Sequence, residues 1–325
     1  MEREVITENY ALYEGDSIEK MASMPDNSVD LITYSPPFAN MYTYSGDDRD
    51  LSNCRSYDEF LEHYEFVIKE TLRILKPGRI VAIHCMDIPQ NGQLGLIDLP
   101  ADITRLHKEN GFVYWDKKTI WKDPLLIAIR TRQKALIHGQ LVKDSTKCRG
   151  VLPDYVLVFK KKGENEVPVV HPYGLTEYYG DIELMNILEK EQYRILRSQY
   201  LGKKHTQDKT NRLSHFIWKR YASCLWEDIR PNEFVSYKGA RDKDDERHLT
   251  PTSLDVLKRI VIMYSNEDEI VFSPFGGVGS DAYSAVSLGR KAISCELKAS
   301  YFSQKVKNMK GLDNPTALAK QEKLF

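Results

Sequence analysis

Two short apolar runs that end in abrupt turns stand out in the hydrophobic pattern of the chain. Residues 29–32 form the first run, which leads into Thr33-Tyr-Ser-Pro-Pro-Phe38. A largely apolar run of this length predicts a short buried strand, and the two prolines prevent that strand from continuing. Residues 270–272 form the second run, which the glycine-rich turn Ser273-Pro-Phe-Gly-Gly-Val-Gly-Ser280 follows. Both runs therefore predict a strand that ends at a loop of unusual composition.

Helical and strand-like patterns alternate around these runs. Residues 10–32 predict a strand, a short helix and a strand, and residues 57–75 carry apolar side chains at helical spacing. The other predicted helices are 100–110, 181–200, 213–222, 281–288 and 298–309, and the other strands are 79–84, 112–121, 153–162 and 292–295. Strands that alternate with helices predict an α/β fold with a mostly parallel, twisted sheet flanked by helices. The alternation lapses between about residues 163 and 232, which predicts a smaller inserted region.

Composition narrows the class of protein. The 325 residues are 42% hydrophobic, enough for one large core and a smaller module. The formal net charge of −1 excludes a protein that coats nucleic acid in bulk, so any contact with DNA needs a local basic face. The five cysteines show no disulfide-like or metal-like spacing, and no apolar run approaches the ~18 residues of a membrane helix. A cytoplasmic protein without a metal site or membrane association is expected.

The Ser-Pro-Pro-Phe turn has a particular chemistry. Pro36 and Pro37 lack N–H groups, so the loop presents carbonyl oxygens beside the hydroxyl of Ser35 and the ring of Phe38. Fixed acceptors beside an aromatic plate suit a flat ligand with an exocyclic amine, such as cytosine or adenine. We therefore take these four residues as candidate catalytic residues. The alternative is an ordinary turn after a strand.

The glycine-rich turn predicts a nucleoside site. Gly277 and Gly279 are positions where a ligand can approach the backbone, and Glu296 follows the next strand, where a carboxylate can bind ribose hydroxyls. Residues 277–282 also match the dinucleotide fingerprint, which leaves a nicotinamide or flavin enzyme as an alternative. Pro274 and Phe275 argue against that alternative, because a diphosphate loop needs free N–H donors.

The order of these motifs identifies a family resemblance. With Ser35-Pro-Pro-Phe38 first and Phe275-Gly-Gly-Val-Gly279 last, the chain resembles the beta class of S-adenosylmethionine-dependent DNA amino-methyltransferases, over about residues 11–162 and 240–307. The resemblance implies a Rossmann-like methyltransferase fold with circularly permuted motifs. It divides the chain into a catalytic half (1–162), a target-recognition insertion (163–236) and a cofactor-binding half (237–325). A dimerisation module is the alternative for the insertion.

The resemblance also implies the cofactor, S-adenosylmethionine, and the residues that bind it. The implied contacts are Asp16, Thr250, Pro251, Ser273, Phe275, Gly277, Gly279 and Glu296. Asp16 has a second interpretation as the cap of the short helix that follows it. The chain departs from the family pattern at Ser273, since an Asp is common before Pro-Phe, and the local cofactor contacts are expected to differ there.

A basic segment predicts contact with double-stranded DNA. Residues 122–149 interleave cations with Gln and His side chains, a composition suited to phosphates and base edges. A solvated basic loop is the alternative. The candidate DNA contacts are Tyr42, Arg130, Arg132, Lys134, Lys143 and Arg149.

The function predicted is transfer of a methyl group to the exocyclic amine of a flipped nucleotide. In the family, Ser at the first motif position, as at Ser35, mostly accompanies cytosine N4, so cytosine N4 is favoured over adenine N6. No dedicated base is expected, and His84 is interpreted as a structural histidine at a strand end. A nicotinamide-dependent oxidoreductase and a catalytically silent DNA-binding module are the other candidates. A bacterial or phage-encoded restriction-modification enzyme is expected, for which a second copy of the chain and a cognate restriction nuclease are candidate partners.

Overall fold

The computed structural model describes residues 3–37, 50–90, 95–131, 138–147, 149–200, 211–240 and 251–312, with the backbone alone at 128–131. The strands are Glu4–Ile6 (β1), Tyr10–Glu14 (β2), Val29–Tyr34 (β3), Leu75–Cys85 (β4), Ile88–Pro89 (β5), Leu96–Ile97 (β6), Val113–Ile120 (β7), Asp154–Lys160 (β8), Leu225–Trp226 (β9), Ile270–Ser273 (β10) and Lys291–Glu296 (β11). The helices are Ser17–Ala22 (α1), Tyr57–Ile74 (α2), Leu99–Glu109 (α3), Pro124–Thr131 (α4), His138–Asp144 (α5), Ile187–Tyr200 (α6), Arg212–Tyr221 (α7), Leu254–Tyr264 (α8), Ser280–Ser287 (α9) and Ala299–Lys310 (α10).

The central sheet is mixed but mostly parallel. Its strand order is β1-β2-β11-β10-β3-β4-β8-β7-β9, and β5 and β6 form a separate pair. The pairings from β2 through β11, β10 and β3 to β4 are parallel, whereas β8 runs antiparallel to both of its neighbours. The predicted α/β class with a mostly parallel sheet flanked by helices is confirmed.

Successive residues of the strands pack alternately into two hydrophobic cores, one on each face of the sheet. Ile32 and Val81 join the core under α2 and α3, whereas their neighbours Leu31 and Ala82 join the core under α8, α9 and α10. Side chains of a strand point to opposite faces in turn, so both faces of this apolar strand are buried. The result is a three-layer α/β/α arrangement.

The direction of the crossovers changes between β3 and β10. In the strand order β11-β10-β3-β4, the chain passes from β3 through α2 to β4 in one direction along the sheet, and from β10 through α9 to β11 in the opposite direction. Because β3 and β10 are parallel neighbours, the loops that follow both strands leave the same edge of the sheet. Ligands of open α/β sheets bind in the crevice at such a switch point.

The inserted region packs on α8 through a buried ion pair. Arg259 of α8 donates from Nη1 to Asp228 (3.0 Å) and from Nε to the carbonyl of Tyr179 (2.7 Å). Its guanidinium also lies over the rings of Tyr221 and Trp226. The small core of α6 and α7 is therefore fixed to α8.

Three predicted elements differ from the structure. The predicted helix 181–200 is broken, because Asp181 caps a short 3-10 turn at Ile182–Leu184 and the Asn186 side chain accepts from the Glu189 N–H at the start of α6. Asp and Asn side chains compete in this way with helix continuation. The fourth strand begins at Leu75 rather than Arg79. Within the described part of residues 122–149 the chain forms α4 and α5, so the loop interpretation was wrong.

The described helices include none that is long and apolar enough to cross a lipid bilayer.

The buried His107 makes the fold sensitive to acid. Its ring stacks on Phe159 at 4.2 Å, and burial lowers its pKa to about 3. The unfolded chain binds a proton near pH 6.5 that the folded chain excludes, so stability is lost as the pH falls below that value. We expect the free energy of unfolding to drop by about 2 kcal/mol for this group between pH 8 and pH 5. Urea titrations at both values test this, and His107→Leu should lack that component; an equal loss in the variant would contradict the assignment.

Candidate active site

A cavity of about 270 Å³ lies at the carboxyl ends of β3 and β10. Ser35, Pro36 and Pro37 line it from the first loop, and Phe275 and Gly277 line it from the second. The two loops that the sequence singled out therefore share one cavity. The end of β3 also contacts the second loop directly, since the ring of Tyr34 packs edge to face on that of Phe275 with the ring centroids 5.5 Å apart.

The hydroxyl of Ser35 forms a triangle of polar contacts with two other side chains. Its Oγ lies 3.0 Å from His84 Nδ1 at the end of β4 and 3.1 Å from Thr252 Oγ1 in the segment before α8. The Thr252 hydroxyl in turn lies 3.4 Å from the same histidine nitrogen. Three segments that are distant in sequence thus converge on one oxygen, and all three side chains line the cavity.

The far side of the histidine contacts a carboxylate. His84 Nε2 lies 3.3 Å from Asp154 Oδ2, and Lys122 binds the other oxygen of Asp154. Burial raises the pKa of Asp154, but Lys122 and His84 together outweigh burial and hold it below its ordinary value. An ionised carboxylate only accepts hydrogen bonds, so Nε2 carries the proton of a neutral His84. Nδ1 is then an acceptor and Ser35 donates its hydroxyl hydrogen to it. Thr252 therefore donates to Ser35, and one lone pair of Ser35 remains available to the cavity.

The glycine-rich loop approaches the cavity at Gly277. This residue has φ = +51°, and a side chain at its Cβ position would meet open space. Gly276, which also lines the cavity, has no room on its other side, where a Cβ would lie 1.9 Å from Ser294 Oγ. Gly279 caps α9 at φ = +95° and packs against Lys305 instead. Of the two predicted glycines, Gly277 therefore faces the cavity and Gly279 supports the turn.

The remaining predicted cofactor contacts lie around the same cavity. Glu296 is at the end of β11, where its Oε1 accepts from the Lys298 N–H at 2.8 Å and burial raises its pKa. Asp16 lines the cavity and also caps α1 through the N–H groups of Ile18 and Glu19. The cap interpretation of Asp16 is confirmed, and its contact with the cofactor stays a prediction. Pro251 and Ser273 complete the set in the cavity wall.

The other candidates are not among the described residues of the cavity wall. Phe38, Tyr42, Arg132, Lys134 and Thr250 are outside the described residues, as is the side chain of Arg130. Lys143 and Arg149 are exposed, and the Arg149 guanidinium donates to the carbonyl of Gly95 at 2.9 Å. The described residues that form the cavity do not include these two cations.

The sequence did not predict the polar residues that surround Ser35 and contact its histidine partner. The strand-end position of His84 suggested only a structural role, and no local pattern pointed to Thr252, Asp154 or Lys122. The register of β4 with β8, which pairs Cys85 with Tyr155, brings Asp154 to the end of β4. The pairing of a histidine at one strand end with an acid at the start of its neighbour was the available signal.

Comparison with known proteins decides the family. Residues 29–307 match the family model described as DNA methylase, of the N6 and N4 methyltransferases. The chain belongs to this family. The amino-methyltransferase resemblance and the predicted cofactor, S-adenosylmethionine, are confirmed, and the oxidoreductase alternative is not supported.

Two relatives are type II methyltransferases. The chain is 22% identical over 306 residues to M.BglII of Bacillus subtilis, covering 89% of this chain and 66% of that protein. It is 26% identical over 286 residues to M.BamHI of Bacillus amyloliquefaciens, covering 88% and 54%. The chain thus spans a little under two thirds of the length of M.BglII and about half of the length of M.BamHI.

Two solved structures share the fold. The cytosine-N4-specific PvuII DNA methyltransferase has a TM-score of 0.58 at 19% identity, covering 97% of this chain and 90% of its own. TTHA0409 from Thermus thermophilus, in complex with S-adenosyl-L-methionine, has a TM-score of 0.56 at 21% identity, covering 94% and 96%.

The cavity suits this cofactor. Gly277 leaves space against the backbone, and the Glu296 carboxylate is positioned for hydroxyl groups. The hydroxyls of Ser273 and Ser280 line the same cavity and have no hydrogen-bond partner among the described residues. Buried polar groups without partners are the groups that a polar ligand satisfies.

Gly277→Ala should separate cofactor binding from stability. The added methyl group would enter the cavity, and the positive φ should cost about 1 kcal/mol of stability. We expect the Kd for S-adenosylmethionine, measured by calorimetry, to rise at least tenfold. Gly289→Ala is the matched control, because its φ is +75° and its Cβ would meet only Glu267 at 3.7 Å. Equal affinity of Gly277→Ala and wild type would place the cofactor elsewhere.

Proposed function

We propose that the protein is a DNA methyltransferase that transfers a methyl group from S-adenosylmethionine to the exocyclic amine of a flipped base, with cytosine N4 as the favoured target. The observation that carries the proposal is the acceptor geometry of Ser35. Its Oγ lies 3.0 Å from His84 Nδ1, and Ser35 lines the cavity shared with the glycine-rich loop.

An amine needs acceptors to become reactive. Its lone pair is delocalised into the base, and hydrogen bonds that it donates favour the localised form. Ser35 Oγ and the carbonyl oxygen of Pro36 would accept the two amine hydrogens, and the fixed φ angles of the two prolines hold both acceptors in place. Catalysis by these residues is mainly orientation of the base.

The same side chains provide a route for the proton that the methylated amine must lose. S-adenosylmethionine, when bound, supplies an electrophilic methyl group on a sulfonium centre. Ser35 Oγ would accept the amine proton as its own hydroxyl proton passes to His84 Nδ1, 3.0 Å away. Asp154 would stabilise the imidazolium through Nε2. His84 is thus proposed as a positioning and proton-accepting residue, which revises the expectation that no base is needed.

Target choice rests on Ser35. A serine at this position mostly accompanies cytosine N4 in the resembling family, and adenine N6 is the alternative outcome. Double-stranded DNA is the proposed substrate, with residues 163–236 as the target-recognition region and the exposed Lys143 and Arg149 as phosphate contacts. The type II relatives favour a restriction-modification setting, in which a nuclease of the same specificity would be the partner.

Methyl-labelled S-adenosylmethionine and mixed-sequence duplex DNA test the activity and the target together. After digestion to nucleosides, we expect the label in N4-methylcytosine. Label in N6-methyladenine would contradict the cytosine assignment and keep the amine chemistry. Label on a ring carbon, or none with a folded protein that binds the cofactor, would contradict the proposed function.

The role of the Ser35–His84 contact is tested by substitution. Ser35→Ala should lower kcat by about 100-fold or more, because it removes a pre-organised group that acts on the reacting amine. His84→Gln should lower kcat by about tenfold or more, with KM for the cofactor unchanged. His63→Gln, at an exposed histidine of α2, is the control. A kcat of His84→Gln equal to that of wild type would show that His84 is only structural.

A further inference from the structure

Two buried charges beneath the glycine-rich loop take no part in the chemistry described so far. Asp281 lies in the first turn of α9 and Lys305 in the middle of α10, and both are buried. Lys305 Nζ donates to Ser294 Oγ (2.9 Å) and to the carbonyl of Cys295 (3.0 Å). The Ser294 hydroxyl donates to Asp281 Oδ2 at 3.1 Å. Ser294 thus connects the cation to the carboxylate.

The carboxylate of this chain faces the cofactor cavity. Asp281 is one of the residues that line it, beside Ser273 and Ser280. A carboxylate offers about four acceptor positions, and Asp281 accepts from the Ser294 hydroxyl, with its own N–H and the Ser273 hydroxyl nearby. At least one acceptor position therefore remains for a ligand in the cavity that Asp281 lines.

Ser273 lies next to this carboxylate. Burial raises the pKa of Asp281 and the nearby Ser273 hydroxyl opposes that rise, although Ser273 Oγ has no hydrogen-bond partner among the described residues. The resembling family commonly has an Asp at the position of Ser273. In this chain the negative charge reaches the same place from α9 instead of from the end of β10.

We propose that Asp281 is the residue that accepts a hydrogen bond from the α-amino group of the methionine portion of S-adenosylmethionine, in place of the carboxylate that Ser273 lacks. Lys305 is the positioning residue that balances the charge of Asp281 through Ser294. The inference rests on the proposed use of this cofactor and adds the residue that recognises its amino group.

The electrostatics agree with a carboxylate kept in place by its partner. Burial raises the pKa of Asp281, and the nearby Lys305 ammonium offsets part of that rise. Burial likewise lowers the pKa of Lys305, which Asp281 and Glu296 oppose. A ligand ammonium group would give the carboxylate a second cation on its open side, and charge-assisted hydrogen bonds of this kind are the strong ones.

Calorimetric binding of two ligands tests the proposal: S-adenosylmethionine and 5′-methylthioadenosine, which lacks the amino-acid portion. Asp281→Asn should weaken binding of S-adenosylmethionine about 10- to 100-fold, the range for a hydrogen bond to a charged group. Binding of 5′-methylthioadenosine should stay within about threefold of wild type. Ser273→Asp combined with Asp281→Asn should recover at least tenfold of the lost affinity, because it returns the carboxylate to the neighbouring position.

Two controls separate this role from a structural one. Asp281→Asn with Lys305→Met removes both charges, so that no buried ammonium is left unpaired, and should show the same ligand-selective loss. Asp268→Asn, at an exposed carboxylate outside the cavity, should change neither affinity. Equal weakening of both ligands, or no weakening of either, would overturn the inference alone. Failure of the wild-type protein to bind S-adenosylmethionine would overturn the proposed function, and this inference with it.

Discussion

The parallel pairing of β3 with β10 is the constraint on which the site depends. Leu31 and Ile32 pair with Val271 and Phe272, residues about 240 positions later in the chain. Because the two strands run in the same direction and their crossovers leave in opposite directions, the crossover helices α2 and α9 leave a crevice between the ends of the two strands. The Pro-Pro loop and the glycine-rich loop therefore open into one cavity. The Tyr34–Phe275 ring contact then fixes the spacing between them.

The antiparallel strand β8 brings a residue from its amino end to the edge of the sheet where the cavity lies. In parallel neighbours only carboxyl ends meet at the ligand edge, whereas β8 runs against β4 and brings its amino end there. Asp154 at the start of β8 can therefore reach His84 at the end of β4. This contact sets the tautomer of His84 and, through it, the direction of the Ser35 hydroxyl. A neutral serine thereby presents one lone pair to the cavity as an acceptor.

The sequence predicted the parts of the site that local patterns determine. Neighbouring residues determine the strand that ends at two prolines, the strand that ends at a glycine-rich turn, the acid at the end of β11 and the alternation of strands and helices. The cavity is lined by Ser35, Phe275, Gly277 and Glu296, which these patterns had singled out. The contributions of His84, Thr252 and Asp154 could not be read in the same way. Each depends on strand order and register, which the hydrophobic pattern of a single strand does not specify.

Local competition explains the remaining differences. Asn186 and Asp181 supply side-chain acceptors that end or restart helices, so the predicted helix 181–200 became a 3-10 turn and α6. The Asp123 side chain accepts from the N–H groups of Leu125 and Leu126 at the start of α4. Charge composition had suggested a loop there, but a cap of this kind is a helix signal that composition does not report.

The tautomer of the His84 ring decides whether Ser35 can act as an acceptor. Nitrogen-15 NMR of histidine-labelled protein near pH 8 distinguishes a protonated ring nitrogen from one that accepts a hydrogen bond. We predict that the proton of His84 lies on Nε2, and that Asp154→Ala, which removes the acceptor, lets the other tautomer become populated. A wild-type ring with its proton on Nδ1 would direct a donor at Ser35, and the serine could not then act as the acceptor described here.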